Sequence, residues 1–346
     1  MNVDYIIVGL GLAGIAFAEE LSKHRKTFVV FEDYSQNSSL VAGGMYNPVV
    51  LKRFTAVWNA KEQLEIAMPF YKKIEKELNQ KYNYKIDIHR VFKSIEEQNN
   101  WYAACDKVLL QDYMIPKTIK NKNDCINAPF DSGKLSHTGR IDVNSLANNY
   151  NKLLKSKDLL IEQKFDYEKI KFFDNKITYE NVKAKTIVFC EGFGVKENPY
   201  FNYLPMREAK GELITIYAPN LKVNFLIKSA IFILPIGNDH YKVGATFNWV
   251  DKTKSPTIDG KNELEFKLSK VINCDYKIVD HVAGIRPTIK DRRPLIGMHK
   301  KHKQLAIFNG LGTRGVMIAP LMAQKLFRNI ESDEQLEHEI DINRFE

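Results

Sequence analysis

Residues Met1 to Glu32 constrain this chain more than any other stretch. Tyr5-Ile6-Ile7-Val8 is a short apolar run of strand character. Gly9-Leu10-Gly11-Leu12-Ala13-Gly14 follows at once, and Ile15-Ala16-Phe17-Ala18-Glu19-Glu20-Leu21 then reads as a helix. A second apolar run, Phe28-Val29-Val30-Phe31, ends on Glu32. Strand, glycine turn, helix, strand and acid, in that order, form the context in which a G-x-G-x-x-G pattern signifies a dinucleotide site. Gly9 permits the tight turn, Gly11 lets the backbone approach a pyrophosphate, and Gly14 lets the helix pack close to the strand. Leu12 and Ala13 begin the helix, whose N-terminus faces the phosphates. Glu32 would bind ribose hydroxyls and disfavour a 2′-phosphate. An ordinary strand-to-helix turn is the alternative, and both strands and the acid weigh against it.

The chain has 346 residues, enough for two domains or one large one with an insertion. Apolar residues make up 44% and charged residues 27%, as in an ordinary soluble globular protein. No apolar run approaches the roughly 18 residues of a membrane span. The N-terminus enters the first strand directly, leaving no room for a cleavable leader, so a cytoplasmic location is expected by default. Cys105, Cys125, Cys190 and Cys274 form no CxxC pair and are expected to be reduced thiols. The eight histidines include no HExxH motif; His299 and His302 sit in a basic turn, and no metal is expected. A net charge of +9 could mean an anionic partner such as RNA or a membrane surface. The lysines are dispersed along the chain, however, so a solvated basic surface is expected and nucleic acid is not expected as a partner.

After Glu32 comes a polar loop from Asp33 to Ser39, then Leu40-Val41-Ala42-Gly43-Gly44-Met45. Two adjacent glycines suggest backbone lying against a flat ligand. Trp58 to Leu78 has helical spacing, with Pro69 expected to start or kink a helix. One or two strands are expected from Lys85 to Ile95. A helix is expected from Glu96 to Asp106, with Trp101 and Tyr102 as packing residues. Tyr113 to Lys134 reads as loop with short strands. Asp142 is the expected N-cap of a helix from Val143 to Leu154. Ile161 to Phe173 and Lys176 to Tyr179 read as strands, as does Lys185 to Cys190, which ends in Glu191-Gly192. From Pro205 the pattern is all-β: a strand from Gly211 to Tyr217, then a hairpin of Ile231–Pro235 and His240–Ala245. A helix is expected from Leu264 to Ile272. A last strand, Leu305 to Phe308, runs into Asn309-Gly310-Leu311-Gly312-Thr313-Arg314-Gly315, and a helix follows from Val316 to Ile330.

Several of these segments stand in a recognisable order. They are Gly9 to Gly14 with Glu32, Ala42 to Met45, Glu191-Gly192, Ile233-Leu234-Pro235 with Val243 to Thr246, Ala283-Gly284-Ile285-Arg286-Pro287, and Gly310 to Gly315 with Ala319-Pro320. Along nearly its whole length the chain resembles the D-amino-acid oxidase (DAO) family of FAD-dependent oxidoreductases. It looks most like glycine oxidases and the oxidase half of the bifunctional tRNA methylaminomethyl-uridine enzyme. The resemblance implies an α/β fold, with a Rossmann-like FAD-binding domain and a smaller, mainly antiparallel-sheet α+β substrate domain, both discontinuous. Residues 1–60, 135–205 and 280–346 would form the first domain, and 61–134 and 206–279 the second.

FAD is the implied cofactor, its adenine half on Gly9 to Glu32. Gly43, Gly44, Met45, Gly192, Gly310, Gly312, Thr313, Arg314, Gly315 and Val316 would hold the flavin. Gly310 to Gly315 opens a helix, so backbone N–H groups and the positive end of a dipole can face a ring that becomes anionic on reduction. In the family, an arginine at the position of Arg286 pins the substrate carboxylate, and a guanidinium suits that task better than an ammonium. Arg314 matches a second family arginine near the flavin. The chain departs from glycine oxidases at Phe232, where they carry a tyrosine that helps to hold the carboxylate, so a different or larger substrate is expected.

The implied reaction is hydride transfer from the Cα–H of an amine or amino acid to flavin. It needs orientation and electrostatics but no obligatory base. Two further functions compete with it: oxidation of a modified uridine side chain on tRNA, and a flavoprotein binding module without turnover. The residues do not distinguish oxygen from a quinone as the electron acceptor.

Overall fold

The computed structural model describes residues 1–36 and 38–345. Asn37, inside the polar loop expected from Asp33 to Ser39, and Glu346 lie outside the described residues. Strands Tyr5–Val8, Phe28–Phe31 and Thr186–Phe189 are buried at every position, as strands covered on both faces must be. They lie parallel within a six-stranded sheet, ordered Leu160–Ile161, Phe28–Phe31, Tyr5–Val8, Thr186–Phe189, Leu305–Asn309, Leu295–Met298. Only the last pairing in that sheet is antiparallel. On one face helix Gly315–Ser332 packs against helices Leu12–Lys23 and Ala60–Glu77, around Phe17, Leu21, Tyr71 and Met322. The other face is covered by a three-stranded antiparallel meander, Ile170–Phe173, Lys176–Tyr179 and Val182–Ala184. Its Ile177 and Tyr179 pack with Phe31 and Phe189.

A second sheet has eight strands, with Lys277–Arg286 at one edge followed by Ala209–Tyr217, His240–Gly244, Phe232–Gly237 and Leu226–Lys228. Ile88–Val91, Ser132–Leu135 and Met114–Ile119 complete it. Side chains of a strand alternate between faces, and the sheet uses both. Ile214, Ile233 and Val243 pack under Leu264 and Leu268 of helix Ile258–Leu268. Their neighbours Leu213, Phe232 and Leu234 face the opposite way, in a cluster with Trp101 and Met114. Among the described residues, no helix is long and apolar enough to cross a membrane.

The α/β architecture with a separate, mostly antiparallel sheet is the expected one, but four local readings are corrected. The single strand expected from Ile161 to Phe173 is broken, because Asp166 caps a short 3-10 turn at Tyr167–Lys169 and Phe165 leaves the strand line to stack on Tyr179 at 4.0 Å. The helix expected at Leu264–Ile272 is Ile258–Leu268, because the Thr257 side chain accepts from Gly260 N and starts it earlier. Trp101 is fully buried while its neighbour Tyr102 is 38% exposed, so only the first is a core residue. The resemblance implies that residues 61–134 belong to the substrate domain, yet helix Ala60–Glu77 packs on the Rossmann layer, where Tyr71 donates to Val316 O at 2.9 Å. Pro69 lies inside that helix.

The first turn depends on one close approach. A Cβ on Gly14 would overlap the carbonyl oxygen of Gly9, so helix Leu12–Lys23 can lie this near the strand only with glycine there. Gly14→Ala should therefore cost ~1–3 kcal/mol of stability, as overpacking of a tight contact does. A urea midpoint lowered at unchanged slope would show it, and an unchanged midpoint would refute it.

Candidate functional site

The carboxyl ends of the parallel strands open into a cavity of about 870 Å³, lined there by Val8, Phe31, Cys190 and Asn309. That volume lies in the upper part of the ~300–1,000 Å³ typical of ligand pockets. Crevices at strand carboxyl ends are where open α/β sheets bind ligands. The opposing wall is the eight-stranded sheet, which contributes Gly211, Leu213, Phe232 and Arg286.

Most residues expected to hold a cofactor line this one cavity. From the first turn come Gly9, Gly11, Leu12 and Ala13, with Glu32 beyond them. Gly43, Gly44 and Met45 follow, then Gly192, and finally Gly312, Thr313, Arg314, Gly315 and Val316. Gly14 and Gly310 do not reach it. Gly14 is used up in packing against the turn, and a Cβ on Gly310 would meet Ile289 Cδ1 at 2.6 Å and Leu295 N at 3.0 Å. Gly44 lines the cavity, but its lack of a side chain is imposed from behind. Its φ is +66° and a Cβ would overlap Ile141 O. The N-termini of two helices, Leu12–Lys23 and Gly315–Ser332, both open on the cavity and give it positive ends. Glu32 accepts from Leu10 N, and from Tyr34 N at 2.6 Å. Burial raises its pKa, and those backbone N–H groups pull it back down.

On the other wall, Arg286 ends the strand Lys277–Arg286. Its guanidinium lies across the backbone of the neighbouring strand, where a Cβ on Gly211 would overlap it. It donates to Thr246 O at 3.2 and 3.3 Å and stacks 4.1 Å from the centre of the Phe247 ring. Burial lowers its pKa to about 10, which leaves it charged at neutral pH. Among the described residues no carboxylate pairs with Arg286 or Arg314. Arg314 precedes the helix Gly315–Ser332, and its pKa is lowered by burial and then by Arg292. The cavity thus carries two unneutralised guanidinium groups. A bidentate fork of this kind suits a carboxylate.

Sequence reading missed three groups here. Gly211 carries no motif, and only its register opposite Gly284 puts it beneath Arg286. Asn309 is buried, donates to Gly192 O at 2.8 Å and accepts from Gly310 N at 2.8 Å, tying two cavity segments together. Its place at a strand end before glycine was the available signal. Glu191 is buried beside Cys190 and bonded to Tyr167 Oη at 2.5 Å and Asn198 Nδ2 at 2.8 Å. Burial raises its pKa to about 7, against the pull of those two donors.

Comparison with known proteins gives the same picture. The family described as FAD dependent oxidoreductase matches residues 4–328. The chain is similar to glycine oxidase of Bacillus subtilis, 25% identical over 163 residues, 44% of each sequence. It is similar to the tRNA 5-methylaminomethyl-2-thiouridine biosynthesis bifunctional protein of Campylobacter jejuni, 23% identical over 309 residues, 86% of this chain and 46% of that protein. These matches span less than half the length of either curated relative. Glycine oxidase of Geobacillus kaustophilus shares the fold at a TM-score of 0.78 and 18% identity, covering 99% of this chain and 98% of that one.

Glu191 carries a pH dependence. Its carboxyl binds a proton more tightly in the fold than a free glutamate side chain does, so the stability it contributes is full at low pH and lost as pH rises from about 4.5 through about 7. Glu191→Gln should flatten the pH dependence of urea unfolding between pH 5 and 8, a component of at most ~3 kcal/mol. An unaltered profile would remove Glu191 from it. Gly211→Ala should dislodge the Arg286 guanidinium and weaken carboxylate binding while the protein stays folded. Circular dichroism and ligand titration separate the two effects, and undiminished affinity would show that the guanidinium does not depend on crossing Gly211.

Proposed function

Because the chain belongs to the DAO family of FAD-dependent oxidoreductases, we propose that it oxidises the C–N bond of a small amine or amino acid whose carboxylate is held by Arg286. The observation that carries this reading is a guanidinium with no carboxylate partner, folded across Gly211 into the cavity. The cavity also fits the cofactor. Two helix N-termini open on it, the Gly9–Gly11 turn and Glu32 line it, and Gly43 faces Phe232 and Leu234, each 3.5 Å from where its Cβ would stand. When bound, FAD supplies the two-electron acceptor for a hydride from the substrate α-carbon, and the resulting imine takes up water to give a carbonyl compound and an amine.

The remaining work falls to residues of this chain. Gly9, Gly11, Leu12 and Ala13 present backbone to the pyrophosphate, and Glu32 takes the ribose hydroxyls. Gly43, Gly44, Met45 and Gly192 line the path of the ring. Gly312, Thr313, Arg314, Gly315 and Val316 present the helix end to it, with Gly14 and Gly310 as the packing glycines behind. Arg286 fixes the substrate carboxylate and so the direction of the α-carbon. Phe232 offers an apolar surface and no hydroxyl. Electrostatic and orienting effects of this kind account for the rate without a general base.

Two measurements test the proposal. The purified protein should be yellow, and acid precipitation should release its flavin into the supernatant; a protein that refuses FAD would overturn the class. Reduction of the flavin by a panel of amino acids and amines without oxygen should then respond to Arg286. Arg286→Ala should cut turnover of carboxylate substrates at least about thirtyfold, as truncation of a buried charge pair costs ~2–5 kcal/mol, with the visible spectrum retained. Arg286→Lys should recover little of it. Intact carboxylate turnover in Arg286→Ala would make this arginine structural.

A further inference from the structure

Besides the two arginines, the cavity wall carries a third cation that no carboxylate neutralises. Lys228 ends the short strand Leu226–Lys228, is half-buried and lines the same cavity. It sits in register with Phe232 on one side and Arg90 on the other. The nearby acids are already taken: Glu97 pairs with Arg90 at 2.5 Å, and Glu263 pairs with Lys267. Among the described residues none is left for the Lys228 ammonium. Burial lowers its pKa to about 8, and the like charges of Arg90, Lys93 and Lys267 add to that. A buried charge without a partner is costly, and a ligand anion would relieve the cost.

Sheet register relates this cation to Arg286. The Arg286 guanidinium covers Gly211, two residues before Leu213 on the same strand. Leu213 pairs with Gly244, Gly244 with Phe232, and Phe232 with Lys228. Steps of ~3.3 Å along a strand and ~4.8 Å between strands separate the backbones of Gly211 and Lys228 by roughly 16 Å. Only Gly244 and Phe232 interrupt the row between Leu213 and Lys228, and neither side chain can donate a hydrogen bond. The floor between the two cations is therefore apolar, with a charge at each end.

We propose that Lys228 is a second anion subsite of the substrate pocket, and that the substrate is an amine carrying two acidic groups on separate arms, one held by Arg286 and the other by Lys228. This deepens the amine-oxidation reading and rests on it for the role of Arg286. It also gives the loss of a hydroxyl at Phe232 a physical sense. Each acid group is gripped by a cation, and the aromatic ring between them packs against the carbon skeleton.

The test uses ligands that bind without reacting. The FAD-loaded protein is titrated with thiodiacetate and thiodipropionate, two-carboxylate thioethers without an oxidisable amine, and with methylthioacetate, which has one carboxylate. The visible spectrum of the bound flavin reports the dissociation constants. At least one diacid should bind about tenfold or more tightly than the monoacid, the range of a hydrogen bond to a charged group. Lys228→Met should abolish that preference and Lys228→Arg should keep most of it. The groups around Lys228 are Arg90, Lys93 and Lys267, with Glu97 and Glu263 tied to two of them. The wild-type preference should be full below about pH 8 and fade above it as the ammonium loses its proton. Equal affinities for diacids and monoacid in the wild-type protein, or a preference that survives Lys228→Met, would overturn the subsite. In those cases an Arg286→Ala variant that no longer binds methylthioacetate leaves the amino-acid reading standing. A wild-type protein that responds to none of the three ligands overturns both.

Discussion

Close approach of backbone to backbone at the carboxyl end of the parallel sheet is the constraint on which the rest of this structure depends. The Gly9 turn fits between the helix that follows it and the end of strand Thr186–Phe189, where a Cβ on Gly9 would lie 2.7 Å from Cys190 O. A Cβ on Gly14 would close the gap from the other side. With both side chains absent, helix Leu12–Lys23 starts directly at the carboxyl end of the strands and its N-terminus opens on the cavity.

Across the cavity the same device serves electrostatics. Arg286 could not lie flat on its neighbour strand if Gly211 carried a side chain. Its hold comes from carbonyl oxygens of Thr246 and Lys210, not from a carboxylate, so the positive charge stays available to a ligand. The strand beneath is itself anchored. Lys210 is fully buried and bonds Asp251 Oδ2 and Ser255 O, both at 2.5 Å, while Glu212 accepts from Thr257 N at 2.9 Å. These bonds fasten the segment from Asn248 to Thr257 behind the arginine. The Lys210 charge that holds the wall together is paired, and those of Arg286, Arg314 and Lys228 on the cavity are not.

How much of this was legible follows from which interactions are local. The strand–turn–helix–strand–acid order at Tyr5 to Glu32 reads directly, because the whole pattern lies within thirty-two residues. The Asp142 cap read correctly for the same reason, its side chain accepting from Ser145 N at 3.3 Å. After Pro205 the strand Gly211–Tyr217 and the hairpin that follows also read correctly, whereas the strands Leu226–Lys228 and Lys277–Arg286 did not. Segments whose form depends on distant partners did not read. Phe165 leaves its strand to stack on Tyr179, and helix Ala60–Glu77 joins the Rossmann layer through Tyr71.

For the site, the sequence by itself determined the chemical inventory: a dinucleotide turn, an acid twenty-odd residues on, glycine-rich approaches, and arginines at Arg286 and Arg314. Each is a local pattern whose meaning survives without knowledge of its neighbours. Tertiary structure alone decided which charges are free. Nothing in a one-dimensional reading distinguishes Lys210, buried and paired with Asp251, from Lys228, facing the cavity without a carboxylate. Strand register put Gly211 under the guanidinium and Phe232 beside Lys228. Register is set by the packing of whole sheet faces, and a one-residue slip would turn every one of these side chains away from the cavity.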